Sequence, residues 1–523
     1  MGAGMRKWII ALVVVVVAGA GGYYGWTRLH QSIGEQVRAG LDQWIKTLPP
    51  DYAVAYKTVD YNVATDTATL GGLTAKGTGA QPFDLAIDQV EVTKPSKEFS
   101  AAWAQAAANP AALAPDKALP VAGSILVKGV TLHMGPASST MASAKLEGLR
   151  LYPWALLHSG VPNFAEVQAT LAKRTDPPQL ADMLPLIRFE AAILLGIGYD
   201  TYAAEDLQVA ATMPATPQMP ATDVTYTIKK FGGSGFDRGT RGDGQIEGAT
   251  IKAAPMGTVT IEHASMAGFE VQQPLTRLLS GETPVPEMLD GLKIGDIKYD
   301  GMNVLTPDGK QVPVGTLAIS KIGFSHGVPI SGEINYAGLK LSKSLMRDPR
   351  AQDAFDKLGI DTLTLSLAVS YQWDLDQKQM TVRNVALKID ELGALNLSAD
   401  LANVSPGAEF QKQGRLSHAL LHYDDASLTD RAIKAFALET NADATAIRQQ
   451  IIAMVDMRAT ALGNSPAITA VADALKAFLG DPHSLTIELA PAQPVAFTAL
   501  QTAAAMQPDA IAALIGLKVT ANK

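Results

Sequence analysis

The sequence predicts a mainly β protein with α elements (α+β): an N-terminal transmembrane helix, long antiparallel meander sheets, and a C-terminal helical insertion docked on the sheet. Three observations predict this class. Residues 8–26, "WIIALVVVVVAGAGGYYGW", carry no charge. From Tyr52 onward apolar residues recur at every second position, the period of a strand with one buried face. Beyond residue 427 the recurrence lengthens to that of a helix. At 523 residues the chain is too long for one ordinary core, so several domains or one extended sheet are expected.

The N-terminal segment comes first. At about 1.5 Å per residue it reaches roughly the 30 Å of a hydrocarbon core. Trp8 at one end and Tyr23, Tyr24 and Trp26 at the other fit the two interfacial belts, with Val13 and Val17 in the apolar middle. Arg6 and Lys7 before the span favour a cytoplasmic N-terminus, which leaves the bulk of the chain outside a bacterial inner membrane, in the periplasm. Residues 1–26 are thus read as a cytoplasmic tip and anchor. The alternative is a cleaved signal peptide with Ala18-Gly19-Ala20 as its cleavage site, releasing a soluble periplasmic protein. Residues 27–50 then place Leu29, Ile33, Val37, Leu41, Trp44 and Leu48 on one stripe of a juxtamembrane helix, stopped by Pro49-Pro50.

Residues 51–212 read as a β-rich region with helical insertions over 96–116, 163–173 and 178–197. The last of these contains "MLPLIRFEAAILLGIG". Its Arg188, Glu190 and Pro185 argue for a buried or surface-adsorbed helix rather than a span. Residues 213–223, "MPATPQMPATD", read as a linker or extended edge. Residues 224–426 form a central antiparallel region. Its clearest strand is "LTLSLAVSYQW", with Leu363, Leu365, Leu367, Val369, Tyr371 and Trp373 on one face. "DLDQK" turns it into a second strand whose apolar phase changes between Val382 and Val385, as a bulge produces. A third strand, 395–401, completes the meander, and Pro307-Asp308-Gly309 turns another hairpin. Residues 427–523 hold helices with closing strands. Ser427 and Asp430 spell a capping box. Asp443 caps a second helix with Ile447, Ile451, Met454 and Val455 on its face. Ser465-Pro466 starts a third, ended by Gly480.

Composition excludes several functions. The net charge is −8, with no basic stripe to neutralise phosphates, so no nucleic-acid partner is expected. There is no cysteine, which removes disulfides, thiolate metal sites and a cysteine nucleophile. No zinc-protease, P-loop or nucleophile-elbow motif occurs. "DLDQK" lacks the remaining calcium ligands, and Arg241-Gly242-Asp243, an adhesion tripeptide, reads first as a turn. His418 and His422 would share a helix face with Asp424 as a third metal ligand. Residues 416–424 read instead as the strand before the Ser427 helix, where the two Cα atoms are about 13 Å apart, too far for one ion. No catalytic, cofactor or metal residue is therefore expected, and the chain reads as non-enzymatic.

One strand phrase recurs loosely: "VDYNVATDTATLGGLTAKG" at 59–77, "IKYDGMNV" at 297–304, "INYAGLKL" at 334–341 and "LHYDDASL" at 421–428. Together with the anchor, it resembles the AsmA-like and YdgA-like bacterial envelope proteins. The resemblance implies a β-rich periplasmic body held at the inner membrane, in lipid movement or outer-membrane homeostasis. The helices at 427–479 and the modest length depart from a full envelope bridge. One expectation is lipid handling, with Leu363, Leu365, Leu367 and Val369 as lipid-facing residues and membrane lipids as partners. The alternative is an envelope scaffold that binds another protein through sheet edges or the C-terminal helices.

Overall fold

A computed structural model of the protein describes residues 33–46, 48, 51–78, 82–158, 180–213, 221–254, 257–346, 348–407, 409–502 and 506–522. The proposed anchor residues Trp8, Val13, Val17, Tyr23, Tyr24 and Trp26, and the helix expected over 163–173, lie outside them. The chain divides into two compact units at Gly295/Asp296.

The first unit is one antiparallel meander. Its strands are β1 (Tyr52–Ala55), β2 (Thr58–Asn62), β3 (Thr67–Gly77), β4 (Phe83–Pro95), β5 (Leu119–Met134), β6 (Ala137–Leu151), β7 (Ile197–Met213), β8 (Thr222–Asp237), β9 (Thr240–Ala253) and β10 (Gly257–Glu270). β1 and β2 share one edge of β3, and each strand from β3 to β10 pairs with the next. Residues 213–223, read from sequence as a linker, join β7 to β8, which stay paired to Met213↔Thr222. They lie inside the first unit. The β8–β9 connection puts both Arg238 and Gly239 at positive φ, the type I′ geometry that matches strand twist.

The strand period of this unit departs from the simple alternation expected. Inward apolar residues run Leu85, Ile87, Val90, Val92 on β4 and Ile125, Val127, Val130, Leu132 on β5, all buried, so spacings of two and three alternate. The cause is two creases that cross the sheet six residues apart. One passes Gly129, Ala142, Asp206, Lys229 and Gly248; the other passes Gly123, Gly148, Asp200, Gly235 and Gly242, each at a gap in the pairing. Positive φ falls on alternate strands: Gly129, Asp206 and Gly248 on the first crease, Lys94, Gly148, Gly235 and Gly268 on the second. A left-handed residue turns the following side chain over, which resets the phase. At Gly129 and Gly148 the space a Cβ would fill holds the carboxyls of Asp88 and Asp200.

The unit's core spans β3 to β8 and includes Leu73, Leu85, Val127, Leu149 and Ala204. Among the described residues the helices of this unit are α1 (Ile33–Ile45), α2 (Phe99–Ala108), α3 (Pro153–Leu157), α4 (Leu180–Gly196) and α5 (Gln272–Leu279). Leu41 of α1 is buried against Val59 of β2. α4 buries one face: Ala191, Ala192 and Leu195 pack on Ala155, Leu278 and Leu279.

The second unit is another meander: β11 (Ile297–Leu305), β12 (Gln311–Ser325), β13 (Val328–Ser342), β14 (Thr362–Asp374), β15 (Gln379–Ile389), β16 (Gly393–Ala402), β17 (Arg415–Asp425), β18 (Ser484–Leu489), β19 (Val495–Ala496) and β20 (Leu517–Ala521). β11 to β18 pair in sequence order, β19 continues the β18 edge of β17, and β20 closes on β18. The Pro307-Asp308-Gly309 turn and the Val382/Val385 bulge are where the sequence put them.

Its helices are α6 (Pro349–Leu358), α7 (Glu409–Gln413), α8 (Leu428–Thr440), α9 (Ala444–Ala461), α10 (Pro466–Gly480), α11 (Phe497–Thr502) and α12 (Pro508–Ile515). α8 to α10 form an insertion between the paired strands β17 and β18, and α10 docks through Phe478, whose ring meets Tyr423 edge-on at 6.0 Å. Asp443 caps α9 as expected, accepting from Thr445 and Ala446 N–H. The Ser427/Asp430 capping box does not form. Asp425 Oδ1 accepts from Thr429 N–H at 2.9 Å instead, Ser427 Oγ donates to Glu391 O, and Asp430 pairs with Arg448. The two side chains are drawn to tertiary partners, which outcompete the local cap. Met454 is exposed rather than part of the packed face of α9.

Candidate functional site

The second unit's sheet is amphipathic from edge to edge. Directly paired residues in an antiparallel sheet point to the same face, so the register defines rows across all its strands but β19. One row reads Ile297, Ile319, Ile334, Val369, Val385, Leu397, Leu421, Ile487 and Val519. A second, two residues along, reads Tyr299, Leu317, Tyr336, Leu367, Leu387, Leu395, Tyr423, Leu485 and Ala521. The row between them faces the other way: Lys298, Ala318, Asn335, Ala368, Ala386, Asn396, His422, Thr486 and Thr520.

Neither apolar row is closed over. No member is fully buried, and Ile334, Leu367, Leu387, Leu395 and Leu397 are each more than a third exposed. The packing around the face is peripheral. α10 covers the β17–β18 side through Phe478 and Tyr423. At the β14 end Phe410 meets Trp373 edge-on and Phe497 at a tilt, and the Trp373 indole donates to Val404 O at 3.4 Å. Between these, over β13 to β16, large aliphatic side chains meet solvent. Burial pushes the Tyr336 hydroxyl above the ordinary tyrosine range, and burial, then the hydrogen bond to Asp425, does the same at Tyr423. Both stay neutral donors across physiological pH. Such a surface can accept flexible apolar groups.

All four residues singled out from the sequence, Leu363, Leu365, Leu367 and Val369, lie on this face of β14. Leu367 is the most open of them. Sequence reasoning missed Ile334, Leu387, Leu395 and Leu397 on the neighbouring strands. Their alternation was visible, but which of their faces joins that of β14 depends on register.

His418 and His422 lie on β17, as the strand reading required, and serve separate partners on the polar face. His418 Nε2 is 3.5 Å from Glu488 Oε1. His422 Nε2 lies 2.9 Å from Asp424 Oδ1, and its Nδ1 lies 2.7 Å from Thr486 Oγ1. Lys518 first, and then His418, hold the Glu488 carboxyl below its ordinary range. Among the described residues no group of three or more His, Cys, Asp and Glu could hold a metal ion. Arg241-Gly242-Asp243 sits within β9, not on a turn. Arg241 lies over the Tyr202 ring, 5.2 Å from its centroid, and Asp243 accepts from Ser234 N–H. Among the described residues no helix is long and apolar enough to cross a membrane.

A family model described as "Uncharacterized protein" matches residues 386–522, from β15 through β20 with the helical insertion. No curated protein matches the chain.

Proposed function

We propose that the protein handles membrane lipids without catalysing a reaction, holding acyl chains on the apolar face of the second unit while headgroups stay in water. The observation that carries this reading is the pair of apolar rows running across the sheet from β11 to β18 and β20 and left open over β13 to β16. Exposed apolar surface of this extent in a soluble domain marks a binding site for something apolar. Acyl chains suit it because the face offers aliphatic and aromatic side chains with few directional polar groups. In this proposal residues 8–26 anchor the chain in the inner membrane with the body in the periplasm. The strand phrases that resemble AsmA-like and YdgA-like envelope proteins support the same reading.

The test is photo-crosslinking in cells, with p-benzoylphenylalanine replacing Leu367 or Leu397 in the full chain and, as a control, Ala368 on the polar face. Mass spectrometry is expected to find lipid adducts at 367 and 397 and none at 368. Protein adducts at 367 and 397 with no lipid would replace this reading with the envelope scaffold.

A further inference from the structure

The second apolar row of the second unit's sheet has two unlike ends. From β13 to β16 it is Tyr336, Leu367, Leu387 and Leu395. Beyond them lies Tyr423 on β17, whose hydroxyl donates to Asp425 Oδ1 at 2.6 Å and whose ring meets Phe478 of α10. In the other direction lie Leu317 and then Tyr299. The hydroxyls of Tyr336 and Tyr299 have no hydrogen-bond partner among the described residues. Tyr336 is nonetheless half-buried, beside the most open part of the face. The row therefore runs from free donors at one end to a committed and covered hydroxyl at the other.

Charge narrows what fits there. No Asp, Glu, Lys, Arg or His stands in either apolar row, so nothing in them balances a carboxylate or a phosphate. A tyrosine donor among aliphatic side chains suits a neutral acceptor oxygen joined to an apolar tail, which describes the ester carbonyl of an acyl chain. A tail alone would cover the Tyr336 hydroxyl and leave it without an acceptor, a cost that a carbonyl removes. Length agrees. Strands lie about 4.8 Å apart, so the row measures roughly 14 Å from β13 to β16 and roughly 19 Å to β17. One leaflet of a hydrocarbon core of roughly 30 Å is about as deep.

We propose, resting on the lipid-handling reading above, that a phospholipid lays one acyl chain along this row, across the strands, with its ester carbonyl accepting from the Tyr336 hydroxyl and its methyl end toward Tyr423. Leu367, Leu387 and Leu395 bear the chain. Tyr336 is then a specificity-determining residue, because it sets which end of the lipid lies at which side of the sheet. The headgroup stays on the β11–β12 side, where Tyr299 offers a second hydroxyl two strands, or about 10 Å, away. Tyr423 does not compete for the carbonyl, because its proton is committed to Asp425.

The test uses the full chain in phosphatidylcholine vesicles doped with one of two photoreactive phosphatidylcholines, whose palmitoyl chain carries a diazirine next to the ester or next to the terminal methyl. After irradiation, labelled peptides are mapped by mass spectrometry. The ester-side probe is expected to label β12–β13 over β16–β17 by roughly five- to tenfold, and the methyl-side probe the reverse, the discrimination that one net hydrogen bond supports. Tyr336→Phe removes no internal hydrogen bond. It is expected to keep the total labelling of β12–β17 and lose the polarity, a ratio that a merely structural role would not move. Labelling of this face without that polarity in the native chain, or polarity unchanged in Tyr336→Phe, overturns this inference and leaves the lipid reading standing. No labelling of β12–β17 by either probe overturns both. Polarity seen with the corresponding photoreactive palmitic acids and not with the phospholipids overturns the neutral ester in favour of a carboxylate.

Discussion

Leu367→Ala separates an open apolar face from a packed core. Leu367 is 38% exposed, so about three-fifths of its side chain is already out of water. Truncation to alanine removes about three carbons' worth of burial, near 2.4 kcal/mol for a fully buried leucine. Scaled by the covered fraction, the loss is about 1.5 kcal/mol. No cavity term is added, because solvent fills the space. Leu73 in the first unit is 1% exposed and sits within its core. There the same change costs the transfer term plus a cavity, about 3–4 kcal/mol. Native-state amide exchange with peptide-level mass spectrometry reads both, since it reports opening segment by segment and a single global transition is not needed. Opening of β14–β15 is expected to rise by roughly tenfold in Leu367→Ala, and opening of β3–β4 by several hundredfold in Leu73→Ala. Equal penalties at the two sites would refute the reasoning, because Leu367 would then be a core residue and no open face would exist.

Other consequences are as direct. Asp425→Ala removes the acceptor for Thr429 N–H and the partner of the Tyr423 hydroxyl; it should cost about 1–2 kcal/mol, measured by denaturant midpoint, with Ser427→Ala costing less. Gly148→Ala places a Cβ at φ +63° against Asp200 Oδ2, whose Oδ1 pairs with Arg150 at 2.8 Å. It should lose more stability than Gly135→Ala, which meets the same backbone strain, about 1 kcal/mol, in open space. The backbone N–H groups of Ala446 and Thr445 hold the Asp443 carboxyl below the ordinary aspartate range. Its contribution to α9 is therefore complete above the unfolded value near pH 4 and lost as pH falls through the folded one. Amide protection in the first turn of α9, corrected for intrinsic exchange, should fall over that window in the native chain and show no such step in Asp443→Asn. His418→Ala with His422→Ala should leave zinc uptake by the purified protein unchanged in a titration, since the two imidazoles serve different carboxylates.

Sequence alone determined the features that arise within a few residues. The β14 stripe, the Val382/Val385 phase change, the Pro307-Asp308-Gly309 turn and the Asp443 cap all follow from local spacing and local hydrogen bonding. The strand assignment of His418 and His422 followed as well, because a strand and a helix place residues four apart at different distances. Tertiary structure alone decided matters that depend on which strand lies beside which. Ile334, Leu387, Leu395 and Leu397 join Leu367 on one face only through register, and a slip of one residue would send each to the opposite face. The two creases escaped a period-two reading because each left-handed residue resets the phase, and their alignment exists only between strands. The Ser427 cap failed for the same reason. Its hydroxyl had a tertiary acceptor at Glu391, supplied by the turn between β15 and β16, that no local pattern contains.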